Sequence, residues 1–297
     1  MQTSIGETKL YKQRIIDYFI DDTGRKIEFS IIGRGTPILV FHGGHSNCKE
    51  EFGYAELLEQ GYSIITPSRA GYGNTDPLLG RDLKTACHAY LKLLNHLNIE
   101  KVHVIAISAG GPSGIFFASN YPERVRSLTL QSAVTKQWLT SKDMEYKAAK
   151  ILFRPSIEKY TWSIISHLSN RFPKFMFKQM APSFSKLPYI QIAPQITNND
   201  IEIFRKMNNR QRSRFGFMID LSQTGIISDA DLHSIKCPTL ILHSINDSAA
   251  PVDHAYHAQH NITHSRLCIL ESWGHLIWLG HDSERMHNEL IKFLISY

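Results

Sequence analysis

Lys101-Val102-His103-Val104-Ile105-Ala106-Ile107-Ser108-Ala109-Gly110-Gly111 is the stretch on which the reading of this chain turns. Val102, Val104, Ile105 and Ile107 are β-branched, and the run is short and almost wholly apolar, the pattern of a strand buried on both faces. It stops at Ser108. Small residues follow, then a helix-like segment from Pro112 to Asn120. A serine at a sharp strand-to-helix turn holds its hydroxyl up at the carboxyl end of a sheet, where a reacting group can be reached. Ala106 to Gly110 has the G-x-S-x-G spacing with alanine for the first glycine. Taken alone, the five residues also fit an ordinary βα turn that happens to contain a serine, so the rest of the chain has to decide.

Working outward, strands alternate with helices. Asp17 to Ile20 and Lys26 to Ile32 read as two strands joined by a turn at Asp21-Asp22-Thr23-Gly24. Pro37 to Phe41 reads as a buried strand ending in His42-Gly43-Gly44-His45. A helix is expected over about Glu50 to Gln60, and a strand over Tyr62 to Thr66 that ends in the loop Ser68 to Thr75. Asp82 to Leu97 carries Leu83, Ala86, Tyr90, Leu91, Leu94 and Leu97 at helical spacing. Val125 to Leu130, Pro238 to His243 and Arg266 to Leu270 are further strands. Val252 to His260 and His281 to Ile295 are further helices. This alternation predicts an α/β fold with a mostly parallel sheet covered on both faces. No internal repeat is visible.

From Val134 to about Gly225 the pattern changes. Prolines 155, 173, 182, 188 and 194 break it into short helical pieces rich in aromatics and methionines. We read 134–225 as a helical cap inserted in a core made of 1–133 and 226–297, lying over the carboxyl edge of the sheet. The net charge of +6 is uneven, because 134–225 holds 15 Lys plus Arg against 6 Asp plus Glu. Such a segment attracts anions or a membrane surface, but a solvated basic face is the plainer expectation. No zinc finger, RNA-recognition signature or basic-region heptad is present, which speaks against nucleic acid. No apolar run approaches the ~18 residues of a membrane span, and the opening residues lack a secretory pattern. The four cysteines (Cys48, Cys87, Cys237, Cys268) form no C-x-x-C or zinc spacing, so buried reduced thiols in a cytoplasmic protein are expected. His254, His257 and His260 recur every three residues on one helix. With no acid or cysteine set to complete a metal site, an exposed helix face is expected there.

A serine hydroxyl needs a histidine to take its proton, and the histidine needs an acid to orient it. The strand through Leu242 ends in His243-Ser244-Ile245-Asn246-Asp247, and the strand through Leu270 in Glu271-Ser272-Trp273-Gly274-His275. The other place for an acid, after Leu130, holds Gln131 to Gln137 and no carboxylate. That leaves Asp247 with His275. The oxygen of a tetrahedral intermediate also needs donors. The Gly44 N–H and the Ala109 N–H are the candidates, with Gly43 or His45 able to replace Gly44. His42 is expected to brace its turn, Gly71 and Gly73 to shape a tight loop, and Trp273 to wall a pocket or simply to pack.

The residues His42-Gly43-Gly44, Arg69-Ala70-Gly71-Tyr72-Gly73, Ser108, Asp247 and His275, in this order over about Asp17 to Tyr297, resemble the α/β-hydrolase fold superfamily in its capped serine hydrolase, esterase-like branch. The chain departs from the family at Ala106 and in lacking Pro-Gly after His-Gly. The resemblance implies an eight-stranded, mostly parallel sheet whose second strand is antiparallel. It also implies hydrolysis of esters or related bonds without metal. Together with the apolar insertion, the ordered set Ser108, Asp247 and His275 points to a small-to-medium carboxylic ester as substrate; no cofactor is expected, and the chain is expected to be a monomer or homodimer. A lactonase, amidase or peptidase, carbon–carbon bond hydrolase or cofactor-free haloperoxidase would use a similar triad. A ligand-sensing or regulatory protein on the same fold is the reading from another class.

Overall fold

The computed structural model describes residues 13–297. The reading of the opening residues falls largely on 1–12, outside those described. Eight strands form one sheet: β1 (Ile15–Ile20), β2 (Lys26–Gly33), β3 (Thr36–Phe41), β4 (Tyr62–Pro67), β5 (Val102–Ile107), β6 (Val125–Gln131), β7 (Thr239–Ser244) and β8 (Ser265–Leu270). Their order is β1-β2-β4-β3-β5-β6-β7-β8. β2 runs antiparallel to β1 and β4, and every other pairing is parallel. The expected antiparallel second strand is therefore present. Its turn is set by Asp21, whose carboxylate accepts from the N–H groups of Thr23 and Arg25, and by Gly24 at φ 78°.

Alternate side chains of each central strand go to opposite faces. Leu39, Phe41, Val104, Ala106, Leu128, Leu130 and Ile241 join the apolar core beneath helices Leu83–His96 and Gly111–Asn120. Ile38, Val40, Ile105, Ile107, Leu240 and Leu242 join the opposite core, which includes Met286, Leu290, Phe293 and Leu294 of helix Ser283–Ile295. β5 is buried throughout, as its unbroken apolar run requires. Ala106 is accommodated by a glycine across from it: a Cβ on Gly114 would lie 2.4 Å from the Ala106 Cβ.

Between β6 and β7 the chain runs as helices Met144–Leu152, Glu158–Arg171, Pro173–Met180, Tyr189–Ile192, Asn198–Arg210 and Gly216–Ser222. Pro173 stands at the first helical position of its helix, where its missing N–H costs nothing. Thr197 and Asp200 close a capping box at the start of Asn198–Arg210. This insertion meets the loops that follow the strands. Arg212 N–H donates to His45 O at 2.7 Å, Gly216 N–H to Gly71 O at 3.0 Å, and Lys186 N–H to Asn246 O at 2.8 Å.

Three expectations need correcting. The helix expected over Glu50 to Gln60 covers only Ala55–Glu59. Glu50 is spent on Arg210 and Gln211 of the insertion, and Gly53 sits at φ 73° with His287 in the space a Cβ would take. The histidine helix Asp253–Asn261 is not a plain exposed face. His254 is buried, because Thr135 lies on it and donates to its Nδ1 at 3.2 Å and its carbonyl at 2.7 Å. Only His260 is exposed, while His257 is half-buried against Asp229. Of the four free cysteines, Cys268 is half-buried rather than buried. No helix of the described residues is long and apolar enough to cross a membrane.

Candidate active site

Ser108 follows β5 in a left-handed conformation, φ 52°, which costs an L-residue on the order of 1–2 kcal/mol. The surroundings enforce it. The Ser108 carbonyl accepts from Val134 N–H at 2.9 Å. A Cβ on Gly110 would lie 2.2 Å from Phe41 O, and one on Gly111 2.1 Å from Val134 O. Glycine at both positions lets helix Gly111–Asn120 start hard against the sheet, so the hydroxyl stands clear of it.

The loops after β7 and β8 bring the other two residues to it. His275 Nε2 lies 2.9 Å from Ser108 Oγ, and His275 Nδ1 lies 2.7 Å from Asp247 Oδ2. Asp247 is fully buried. Its other oxygen accepts from the N–H groups of Ala249 and Ala250 at 2.8 and 2.9 Å. Burial pushes the Asp247 carboxyl up, but the pull of His275 beside it and the hydrogen bonds from His243 and His275 outweigh it, leaving a pKa of about 2. The group is a carboxylate at neutral pH, and His275 is held with Nδ1 as the donor.

His243 was read only as part of its strand, yet it belongs to this arrangement. Its Nε2 donates to Ala250 O at 2.7 Å and lies 3.3 Å from Asp247 Oδ2. It thereby pins the turn that supplies both amide donors to Asp247. The segment Phe184 to Lys186 of the insertion was also missed. Phe184 O accepts from His275 N–H at 2.8 Å, and Ser185 pairs antiparallel with Asp247 and donates through its hydroxyl to Trp273 O. Ser132, left-handed at φ 46°, donates to His275 O at 2.8 Å. The one sequence signal for this crossing is Gly274, where a Cβ would lie 2.4 Å from Phe184 O. Trp273 is fully buried against Phe177 and Phe184, so it packs rather than walls a pocket.

The oxyanion candidates lie beside the serine. A Cβ on Gly43 would be 3.2 Å from Ser108 Cβ, and one on Gly44 3.8 Å from Ala109 Cβ. His45 N–H is directed to Tyr72 Oη at 3.4 Å. His42 is buried, accepts Arg69 N–H on Nε2 at 2.9 Å and donates from Nδ1 to Gly43 O at 2.8 Å. It braces the turn. Gly71 and Gly73 sit at φ 78° and 51°, the tight-loop geometry their spacing suggested. Chemically, the arrangement offers a hydroxyl, a base to deprotonate it and an ionised partner for that base.

Comparison with known proteins agrees with the fold. The chain is 60% identical over 273 residues to the uncharacterized hydrolase YcgS of Bacillus subtilis (strain 168), covering 92% of this chain and 96% of that protein. It is 24% identical over 285 residues to the 2-hydroxy-6-oxononadienedioate/2-hydroxy-6-oxononatrienedioate hydrolase of Escherichia coli O139:H28 (strain E24377A / ETEC), covering 92% of each. Among solved structures, an alpha/beta hydrolase fold protein from Nakamurella multipartita superposes with a TM-score of 0.81 at 23% identity, covering 94% of this chain and 98% of that one. Residues 36–282 match the alpha/beta hydrolase fold family. With the sheet order, the helices on both faces and this match together, the chain belongs to the α/β hydrolase fold family and is a hydrolase of that fold.

Proposed function

We propose that this hydrolase cleaves a small-to-medium carboxylic ester through an acyl-enzyme on Ser108. The observation that carries the reading is the continuous line from Asp247 through His275 to Ser108, at 2.7 and 2.9 Å, ending on a serine in an enforced left-handed turn. Ser108 Oγ attacks the carbonyl carbon while its proton passes to His275 Nε2. Asp247 stabilises the imidazolium. The Gly44 and Ala109 N–H groups take the oxyanion. The alcohol leaves with the proton from His275. Water, deprotonated by His275, then releases the acid and regenerates the serine. The insertion 134–225 acts as a cap on a core of 1–133 and 226–297, supported by its hydrogen bonds to the loops after β3, β4, β7 and β8. The four free cysteines suit a reducing, cytoplasmic setting.

The test is turnover of p-nitrophenyl esters of graded acyl length by wild type and Ser108→Ala. We expect wild-type turnover, and a loss on the order of a millionfold in kcat without the serine. A folded alanine variant that keeps its rate would remove Ser108 from this role. The panel includes lactones, amides and a dienoic keto acid of the kind named for the E. coli relative. If ligands only stabilise the protein, or form a lasting adduct in a single turnover, the sensing reading replaces this one.

A further inference from the structure

The two peptide units that carry the proposed oxyanion donors are gripped in different ways. The unit joining Ser108 to Ala109 is held at its carbonyl by backbone alone, through Val134 N–H at 2.9 Å and Gly111 N–H. The unit joining Gly43 to Gly44 is held at its carbonyl by side chains. His42 Nδ1 donates to Gly43 O at 2.8 Å, and Arg69 Nη2 donates to it at 3.3 Å. The proton on His42 Nδ1 is fixed because Nε2 is already an acceptor for Arg69 N–H. Carbonyl and N–H point opposite ways across a trans peptide, and no cis bond is present among the described residues. Gripping the oxygen therefore sets the direction of the Gly44 N–H.

Arg69 is built for this purpose from both sides. Its Nε donates to His42 O at 2.7 Å, and its Nη1 and Nη2 reach the Asp220 carboxylate at 2.6 and 2.8 Å. Both side chains are almost fully buried. Tyr72 Oη adds a 2.6 Å bond to Asp220 and is itself the acceptor for His45 N–H. Burial lowers the Arg69 pKa, but the adjoining Asp220 carboxylate outweighs it and raises it, so the guanidinium stays charged. A cation on the carbonyl oxygen draws electron density from the amide and strengthens its N–H as a donor, since hydrogen bonds in sequence polarise one another. A buried guanidinium needs its carboxylate, because removing one partner strands the other charge. Asp220 belongs to the insertion and Arg69 to the loop after β4.

We propose that Arg69 and Asp220 are positioning residues for the oxyanion donor, and that this ion pair sets both the direction and the polarity of the Gly43–Gly44 peptide. The role rests on the reading of Gly44 as a donor. It makes half of the oxyanion site depend on a side chain of the insertion. Lysine cannot replace Arg69, because one ammonium cannot span Asp220, His42 O and Gly43 O together.

The experiment compares wild type with Asp220→Asn, Arg69→Lys and Tyr72→Phe. It reads kcat and KM on p-nitrophenyl acetate, the rate of Ser108 labelling by a fluorophosphonate, and Tm. Labelling also builds negative charge on an oxygen in the oxyanion site, and it needs no ester turnover. For Asp220→Asn and Arg69→Lys we expect kcat and labelling rate to fall together by about 10- to 100-fold, with KM within about threefold. Tyr72→Phe keeps both charges and should cost about two- to fivefold in both rates. If the first two fail to fold, Tyr72→Phe carries the test. Folded variants with unchanged kcat and labelling, or with only KM raised, overturn the proposal. So does a loss of turnover with labelling intact. A wild type that labels at Ser108 but cleaves no ester removes the ester reading alone, with labelling still deciding the role of the ion pair. A wild type that does neither removes both.

Discussion

The carboxyl end of the sheet and the helical insertion above it place functional groups by different physics. At the sheet end, each group sits in the loop just beyond a strand whose register is fixed by its neighbours. Ser108 follows β5, Asp247 follows β7, and His275 follows β8. Backbone hydrogen bonds and apolar burial do the placing, and both are written locally as runs of β-branched residues. In the insertion, groups are placed by pairing across long sequence distances: Asp220 with Arg69, Arg210 with Glu50, Ser213 with His45, and Phe184 with His275. The first three depend on side chains and the last on backbone, and in each case no local pattern names the partner. The difference teaches that the proposed reaction would be anchored in the sheet, with its fine geometry held from the insertion.

The sharpest way to break that contrast is at Asp247. Asparagine keeps its size and one acceptor oxygen, but an amide NH2 turned to His275 Nδ1 forces the wrong tautomer onto the ring. We expect Asp247→Asn to lower kcat by roughly ten-thousandfold. An insertion change at the same distance along the chain of contacts, Asp220→Asn, is expected to cost far less. Equal losses would show that the sheet end has no privilege. Measuring kcat on p-nitrophenyl acetate for both variants decides it.

The same contrast explains what could be read in advance. Eight strands, the order Ser108, Asp247, His275, and the His42 turn were all legible, because strand periodicity and turn glycines are local signals. The His42 ring as a brace was legible for the same reason. His243 was hidden, since inside an apolar strand nothing distinguishes a histidine that pins the Ala249–Ala250 turn from one that simply fills space. The helix expected from Glu50 was lost to Arg210 and Gln211, residues 160 and 161 positions away. The burial of His254 was hidden because Thr135, 119 positions earlier, covers it. Ser185 against Asp247 could be seen only in space.

His254 sharpens the comparison through pH, because it lies where the insertion leaves the sheet. Thr135 sits on it, and His243, Lys136, His257 and Asp247 face it. Burial first, then His243, Lys136 and His257, lower its pKa from 6.5 to about 4. A histidine with a depressed folded pKa binds fewer protons in the native state than in the unfolded chain. Its contribution is present above the unfolded value and is lost as pH falls from about 6.5 toward 4. His45, lowered by burial to about 3, acts in the same direction. We expect His254 alone to cost about 2 kcal/mol of stability between pH 7 and pH 5. His254→Gln, which still offers an oxygen to Thr135 N–H, should remove that share of the slope in urea midpoints. A variant whose stability falls as steeply as wild type would place the acid sensitivity elsewhere.

The smallest expected effect concerns the sheet end itself, at the one place where the elbow departs from its family. Ala106 fills the position usually held by glycine, and Gly114 of the following helix faces it with room for one methyl only, 2.4 Å between the two Cβ positions. Gly114→Ala should gain up to ~1 kcal/mol of helix propensity. The clash is with a Cβ fixed to strand backbone, so it cannot swing aside, and overpacking costs about 1–3 kcal/mol. The balance is a net loss of about 1 kcal/mol. Ala106→Gly opens the space and loses apolar contact. Combined with Gly114→Ala, it moves the methyl from strand to helix and should recover most of the loss. The interaction energy of this double-mutant cycle is therefore expected to be favourable. Denaturant midpoints of the four proteins measure it. Additive effects would mean that helix and strand shift apart to admit both methyls, and that the sheet end is less rigidly placed than the insertion that rests on it.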